Sequence, residues 1–513
     1  MLILLEYLAV VVVVCTTAVV VARRVFALPV VPGRIDSIAL PPSEVGPLAE
    51  ALARRRAQRD GKTGVAALQN GADAFAARII LADAAVSSID AQYYIWRGDL
   101  TGYLLLDSLQ RAADRGVRVR LLLDDNGTSG LDSVLAALDG HRNIEVRLYN
   151  PFNLRRYKLL SYTFDFFRLN RRMHNKSFTV DGHAAILGGR NVGDEYFGTG
   201  PSALFVDLDV LAVGVVVPEV SADFDRYWAA PSVHLAGPIV GSATVPDPIG
   251  KRLARHADDP QLAEYKALLQ SSDIVTALAK GELGLEWTSA VLVSDDPIKG
   301  QGAVPREDLL AVRLMKAVGR IETRFDGVSP YLVPGAAGVK ALATLKAQGV
   351  AVRMLTNSLE ATDVLPVHAG YAKRRVDMLR SGVGLFELHG QKNPAIPTGK
   401  IGPFGSSGAS LHAKTFAVDG VRIFVGSFNF DPRSTTLNTE MGLLIESEVM
   451  AEGLHGAFDQ ELAGLAWRVE LKGGKPVWID TVDGDIATNE PGSTAPRRMA
   501  VAVIGWLPVE WLL

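Results

Sequence analysis

Apolar positions change their rhythm along the chain. The first 22 residues, MLILLEYLAVVVVVCTTAVVVA, form one apolar run with a single charge, Glu6. A helix of about 20 such residues spans a bilayer. The basic pair Arg23 and Arg24 follows the run, whereas a cleaved signal peptide is positive before it. The pattern predicts a retained transmembrane anchor over residues 1–22, followed by a linker over 23–60. The positive-inside tendency then puts the bulk of the chain in the cytoplasm. A signal peptide and a buried helix are the alternatives. Beyond residue 60 the runs shorten. DRGVRVRLLLDDN (114–126) and KAQGVAVRMLTNS (346–358) each read as a helix end, a glycine turn at Gly116 or Gly349, and a buried strand. IDAQYYIW (89–96) and IETRFDGVSPYLVP (321–334) supply a strand upstream of each.

Those paired segments belong to a larger repeat. MHNKSFTVDGHAAILGGRNV (173–192) aligns without a gap on LHAKTFAVDGVRIFVGSFNF (411–430). The histidines His174 and His412 are 238 apart, and the glycines Gly116 and Gly349 are 233 apart. A nearly constant offset at two places marks a duplicated domain. Strands alternating with helices imply an α/β sheet with helices on its faces. The expected lobes cover 61–235 and 286–470, joined by a helical connector over 236–285. The tail, 471–513, begins beyond the second lobe and includes a polar linker, 484–496. Its end, RRMAVAVIGWLPVEWLL, sets Trp506 and Trp511 near basic residues, which suits a membrane interface. Docking of that segment into a groove of the protein itself is the alternative.

Composition narrows the classes. A chain of 513 residues allows about three domains or two large ones. A net charge of −3 argues against a protein built mainly to coat nucleic acid. The lone cysteine, Cys15, excludes an intrachain disulfide and a cysteine zinc site.

The repeated polar residues carry the chemistry. His174 and Lys176, like His412 and Lys414, are two apart and would share one face of a strand. Asp181 and Asp419 each precede a glycine, a good hairpin turn. Gly188, Gly189, Gly426 and Ser427 are small enough to let a ligand approach the backbone. Asn191 and Asn429 add amide donors. One copy makes half a phosphate site, and two facing copies make a whole one. One histidine would attack phosphorus while the other protonates the leaving oxygen. The lysines and asparagines would neutralise charge on the other oxygens, so neither metal nor cofactor is expected. A single His-x-Lys is usually a surface pair. Eight identities in twenty aligned positions, four of them His, Lys, Asp and Asn, are more than packing alone would repeat.

The doubled pattern H-x-K-x4-D-x6-G-[GS]-x-N resembles the phospholipase D superfamily. The resemblance implies two tandem phospholipase D-like α/β lobes with one active site at their interface. It also implies a ping-pong transfer through a phosphohistidine, with Asp181 and Asp419 among the catalytic set. By the same analogy His174 is the nucleophile and His412 the acid and then the base, an order the residues do not fix. RRMHNKSFTVDG, GGRNVGDEYFG, GSFNFDPRSTTLNTEMG and the ending LPVEWLL are most similar to bacterial cardiolipin synthases of the C type. That branch implies an inner-membrane phosphatidyltransferase making cardiolipin from phosphatidylglycerol. Phosphatidylethanolamine is a candidate donor and an accessory protein a candidate partner. In the superfamily a carboxylate at the position of Glu440 hydrogen-bonds a histidine, and Asp209 looks like its counterpart. Asp431 and Pro432 read as a helix start, and Arg433 could reach lipid phosphate or form a structural salt bridge.

LRRYKLLSYTFDFFRLNRRMHNK (154–176) is basic and aromatic, as a rim against anionic headgroups with aromatics entering the interface would be; the same composition fits nucleic acid, with phosphates on the arginines and bases on the rings. Arg155, Arg156, Arg171 and Arg172 are its expected lipid contacts; a solvated basic helix face is the alternative. His368 is expected to be structural and His183 a surface residue. Three other functions share this chemistry or this architecture. They are a phospholipase D using water as acceptor, a nuclease, and a membrane scaffold with a decayed site. The anchor, the tail and the acidic balance count against nucleic acid as a partner.

Overall fold

Each half contains a central strand whose chain passes through a helix and returns as a parallel neighbour. The computed structural model describes residues 2–56, 61–198, 205–242, 247–256, scattered positions from 258 to 280, 282–390, 410–508 and 510–513. In the first half, strand Ser88–Ile95 leads through helix Leu100–Asp114 to strand Arg118–Gly127. In the second, Arg324–Val328 leads through Gly335–Ala347 to Ala351–Asn357. Gly116 and Gly349 end those helices at φ 101° and 90°, a conformation that costs glycine little. A third parallel strand follows in each half, Ile144–Tyr149 and Gly384–Leu388.

The motif strands close each sheet from the other side. Ser177–Val180 and Ala184–Gly188 form an antiparallel hairpin, as do Thr415–Val418 and Arg422–Gly426. Asp209–Gly214 and Met441–Glu446 pair with the second strand of each hairpin. Among the described residues, the first sheet has nine strands and the second ten. The α/β class and the duplication thus agree with the sequence pattern. The two sheets meet through Val65, Leu187, Val210 and Ala212 on one side and Ile423, Val425, Leu443 and Ile445 on the other, with Val217 of helix Val216–Trp228 packed beside them. This apolar layer fixes one lobe against the other.

Element boundaries differ from the expected ones where pairing crosses them. Glu286–Thr288 pairs with the first sheet, while Ala290–Ser294, two residues on, pairs with the second. Lys475–Asp480 and Ile486–Ala487 extend the second sheet past residue 470. The described connector helices, Gly237–Val240 and Pro248–Ala254, pack on the first lobe through Ile239 and Ile249; the rest of that expected stretch falls partly outside the described residues. The expected linker is pinned down. Ala39 N–H donates to Asp225 at 2.8 Å, and Ser43 N–H donates to Asp181 O at 3.0 Å. Ahead of it, Ile3–Val25 is a helix long and apolar enough to cross a membrane, with none of it buried in the protein. The tail docks: helix Ala495–Trp506 packs Val501 and Ile504 against Leu359 and Ala369.

Candidate active site between the two lobes

Each motif enters the site by pairing with the opposite lobe. Met173 bridges Thr439, and His174 N–H donates to Thr439 O at 2.9 Å. Ser410–Leu411 pairs with Phe205–Val206, and His412 N–H donates to Val206 O at 2.8 Å. Both histidines therefore lie just ahead of the hairpin strands, not on them, and both are buried. They line one cleft of about 720 Å³ with Tyr94, Asn191, Tyr196, Tyr331, Asp363, Asn429 and Arg433.

The side chains cross the interface as well. His174 Nδ1–H donates to Glu440 Oε2 at 2.8 Å and lies 3.1 Å from Ser427 O. His412 Nδ1–H donates to Asp207 Oδ2 at 2.6 Å. Each imidazole is thus held by a carboxylate from the other lobe. A carboxylate on each Nδ1 leaves Nε2 as the nitrogen for chemistry; Lys414 Nζ also lies 3.0 Å from His412 Nδ1 and 3.4 Å from its Nε2. Tyr94 and Tyr196 set their rings edge-on to His174 and His412, at 5.0 and 5.1 Å. Lys176 Nζ donates to His174 O at 2.7 Å, and Lys414 Nζ donates to His412 O.

Burial governs the protonation of this cluster. Burial, then the Lys176 and Lys414 charges, pulls His174 well below its ordinary value. Burial and Lys414 bring His412 down to about 3, against the pull of Asp207. Burial, with Lys414 adding to it, lowers Lys176 to about 7. The carboxylates diverge. Burial pushes Glu440 up to about 7, only partly offset by Lys176. Burial would raise Asp207 too, but His412, Lys414 and Arg190 outweigh it and hold Asp207 below the usual carboxylate range.

Several expected residues take other roles. Asp209 is not the histidine's partner; it accepts from Arg78 Nη2 at 2.8 Å and from Arg190 N–H at 3.1 Å. Strand register explains the shift. Gly188 pairs with Asp209 and Gly426 with Gly442, so the residue two before each is Asp207 or Glu440. Asp181 and Asp419 do not reach the cleft. Asp181 accepts from the N–H groups of Val86, Ser87 and Ser88 at 2.8–3.0 Å, and Asp419 likewise from Glu322, Thr323 and Arg324. Both occupy the turn at positive φ, 52° and 54°. They tie each hairpin to the start of the neighbouring strand.

The small residues serve the protein's own atoms, not a ligand. A Cβ on Gly189 would lie 2.1 Å from Asp207 Oδ1, and one on Gly188 would lie 2.2 Å from Asp209 Oδ1. A Cβ on Gly426 would meet Met441 O at 2.4 Å. Ser427 donates through Oγ to Glu440. The asparagines differ. Asn191 accepts from Ile95 N–H and donates to Tyr196 OH, both at 3.1 Å. Asn429 keeps a buried Oδ1 with no hydrogen-bond partner among the described residues.

Among the flanking residues, Asp431 caps its helix by accepting from Ser434 N–H at 2.6 Å. Arg433 forms no salt bridge among the described residues; it donates to Asn170 O and Oδ1 and to Leu512 O. The expected arginine rim turns inward. Arg172 is buried on Asp124 at 3.0 Å, Arg155 pairs with Asp125 and Asp132, and Arg171 donates to Lys299 O. Arg156 instead lies over the Tyr157 ring. His368 is buried beside Glu490, as expected of a structural group, whereas His183 is half-buried and donates to Ser43 O at 2.6 Å.

The duplication, the α/β sheets and the crossed histidine pairs define a phospholipase D-type site. A family model for "Cardiolipin synthase, PLD-like domain" matches residues 79–228 and again 314–462. The chain belongs to that family of phospholipase D-type phosphatidyltransferases. It is 47% identical over 471 residues to cardiolipin synthase C of Escherichia coli K12, covering 91% of this chain and 99% of that one. It is 25% identical to a major cardiolipin synthase of Bacillus subtilis, covering 80% and 72% of the two chains. A solved phosphatidylserine synthase from Haemophilus influenzae shares the fold at a TM-score of 0.57 and 14% identity, over 90% of this chain and 99% of that one.

Proposed function

We propose that this protein is a membrane-anchored cardiolipin synthase that moves a phosphatidyl group onto the glycerol end of phosphatidylglycerol. The observation that carries the reading is the crossed pairing, His174 with Glu440 and His412 with Asp207. Two imidazoles so held can divide nucleophile and acid between them. His174 Nε2 attacks the donor phosphorus. The P–O bond to the headgroup breaks, and His412 gives that oxygen its proton. The phosphatidyl group then rests on His174. His412, now neutral, takes the proton from the acceptor hydroxyl, whose oxygen attacks phosphorus and frees His174.

The carboxylates favour this order. An ionised Asp207 stabilises the imidazolium that the acid must be, while Glu440, raised to about 7, leaves His174 easier to keep neutral. Burial and the lysine charges depress both imidazoles. An arriving phosphate would offset the lysine charges and raise them. Lys176, Lys414 and Asn429 then face the oxygens that gain charge.

The helix Ile3–Val25 supports an inner-membrane location with the lobes on the cytoplasmic side, the side Arg23 and Arg24 favour. Products formed in mixed vesicles, read by mass spectrometry, test the reading. Phosphatidylglycerol alone, phosphatidylethanolamine alone, and both together are supplied, with His412→Ala as control. Cardiolipin from the wild type and none from the variant supports the transferase, and the lipid requirement names the donor. Phosphatidic acid without cardiolipin, even when a candidate accessory protein is added, would mean that water is the acceptor.

A further inference from the structure

The helix Lys158–Leu169 buries Ser161, Phe164 and Leu169 and turns other apolar residues outward. Leu159 is 82% exposed, Phe167 71%, Tyr157 at its N-cap 57% and Leu160 54%. One exposed apolar side chain is ordinary. A kink at Asp165 (φ −133°, ψ 34°) divides the helix, with Tyr157, Leu159 and Leu160 before it and Phe167 after it. Four exposed apolar residues on so short a segment, beside Arg156 and Lys158, make an amphipathic surface suited to a bilayer.

Its place in the fold names the occupant. Arg23 Nε donates to Phe164 O at 2.6 Å, and the Phe26 ring lies 5.8 Å from that of Phe164. Asn153 Nδ2 donates to Phe26 O at 3.0 Å. The end of the apolar helix Ile3–Val25 therefore rests on helix 158–169. A spanning helix ends at the bilayer's polar boundary, and what touches Arg23 and Phe26 lies at that boundary too. There is little slack to separate them. Arg34 donates to Ala229 O at 2.8 Å, and Arg147 donates to Ile35 O at 2.9 Å. At the other end of the helix, Asn170 O and Oδ1 accept from Arg433, which lines the catalytic cleft.

We propose that helix 158–169 is an interfacial helix, with Tyr157, Leu159, Leu160 and Phe167 inserted among the lipids of the leaflet in which the anchor ends. It holds the cleft at headgroup level. The surface is apolar; Arg155 and Arg172 do not form it. The inference rests on reading residues 3–25 as an anchor and is independent of the reaction catalysed.

The test uses the full chain in vesicles. On a Cys15→Ser background, which removes the single cysteine, a fluorophore is placed by Leu159→Cys, Phe167→Cys, Val12→Cys or Val449→Cys. Val449 is a 76% exposed control on the second lobe. Brominated lipids should quench positions 12, 159 and 167 and spare 449. Quenching at 12 alone, or at none, overturns the proposal. Leu159→Glu with Phe167→Glu should raise the vesicle concentration needed for half-maximal turnover about tenfold or more. Turnover of detergent-dispersed lipid should stay unchanged. Equal vesicle dependence would overturn insertion; loss of activity in both formats would mean that the substitutions disturb the lobe itself, and the quenching at positions 159 and 167 then decides. Cardiolipin-forming activity absent from the wild type, with quenching intact, would fault only the functional reading.

Discussion

Asp207 and Asp209 separate chemistry from support within three residues. Asp207 holds His412, and Asp209 neutralises Arg78 in the first lobe. Asp207→Asn should lower turnover about 10²–10⁴-fold, with little change in melting temperature. Asp209→Asn should do the reverse, because it leaves Arg78 buried and unpaired, at a cost of about 3–5 kcal/mol. Paired kinetics and thermal melts on the two variants distinguish them. Lys176 offers a pH test. Its folded value, about 7, is below the ordinary 10.5. The unfolded chain therefore binds the extra proton between those values, and stability rises with pH there. Lys176→Met should flatten that rise by the contribution of about one proton, measured by chemical denaturation from pH 7 to 10. The histidines, lysines and asparagines were legible in the sequence because their spacing is local and repeated. Asp207 was not, because its equivalence to Glu440 depends on how two strands pair. Neither Tyr94 nor Tyr196 had a counterpart in the motif to mark it.

Strand and turn contacts turn the repeated motif into geometry. The Asp-Gly turns were legible as turns, but not the work of their carboxylates, which tie each hairpin to a segment about 95 residues away. Asp181→Ala should therefore cost about 1–3 kcal/mol of stability, as expected for unpaired buried N–H groups. The ratio of lipid products should not move, and melts with product analysis would show whether it does. Gly189 sits where a methyl group would collide with Asp207 Oδ1. Gly189→Ala should thus mimic Asp207→Asn in turnover while preserving the fold, which circular dichroism and initial rates together would test. Helices and parallel strands were readable from apolar rhythm and the glycine turns. The course of the linker over residues 26–45, a strap along the first lobe, was not, because Arg118, Arg120 and Arg147, far along the chain, donate to the carbonyls of Ile38, Ser37 and Ile35. Nor was the inward turn of Arg155 and Arg172, whose partners Asp125, Asp132 and Asp124 lie at least 23 positions away.

On the proposed mechanism the two lobes form one reaction vessel. Apolar residues of both sheets meet, backbone pairing at Met173 and Ser410 crosses from lobe to lobe, and each histidine is held by the other lobe's carboxylate. The duplicated sequence announced two similar lobes, and only their mutual pairing explains why neither lobe alone holds a complete site. The anchor, strap and interfacial helix would then set that site at the membrane surface, where both lipids reside. The most direct measurement compares initial rates of cardiolipin formation by wild type, His174→Ala and His412→Ala in identical vesicles. A single composite site predicts that each variant falls below about 1% of wild type. Two independent sites would leave each variant near half the rate, and that result would contradict the account.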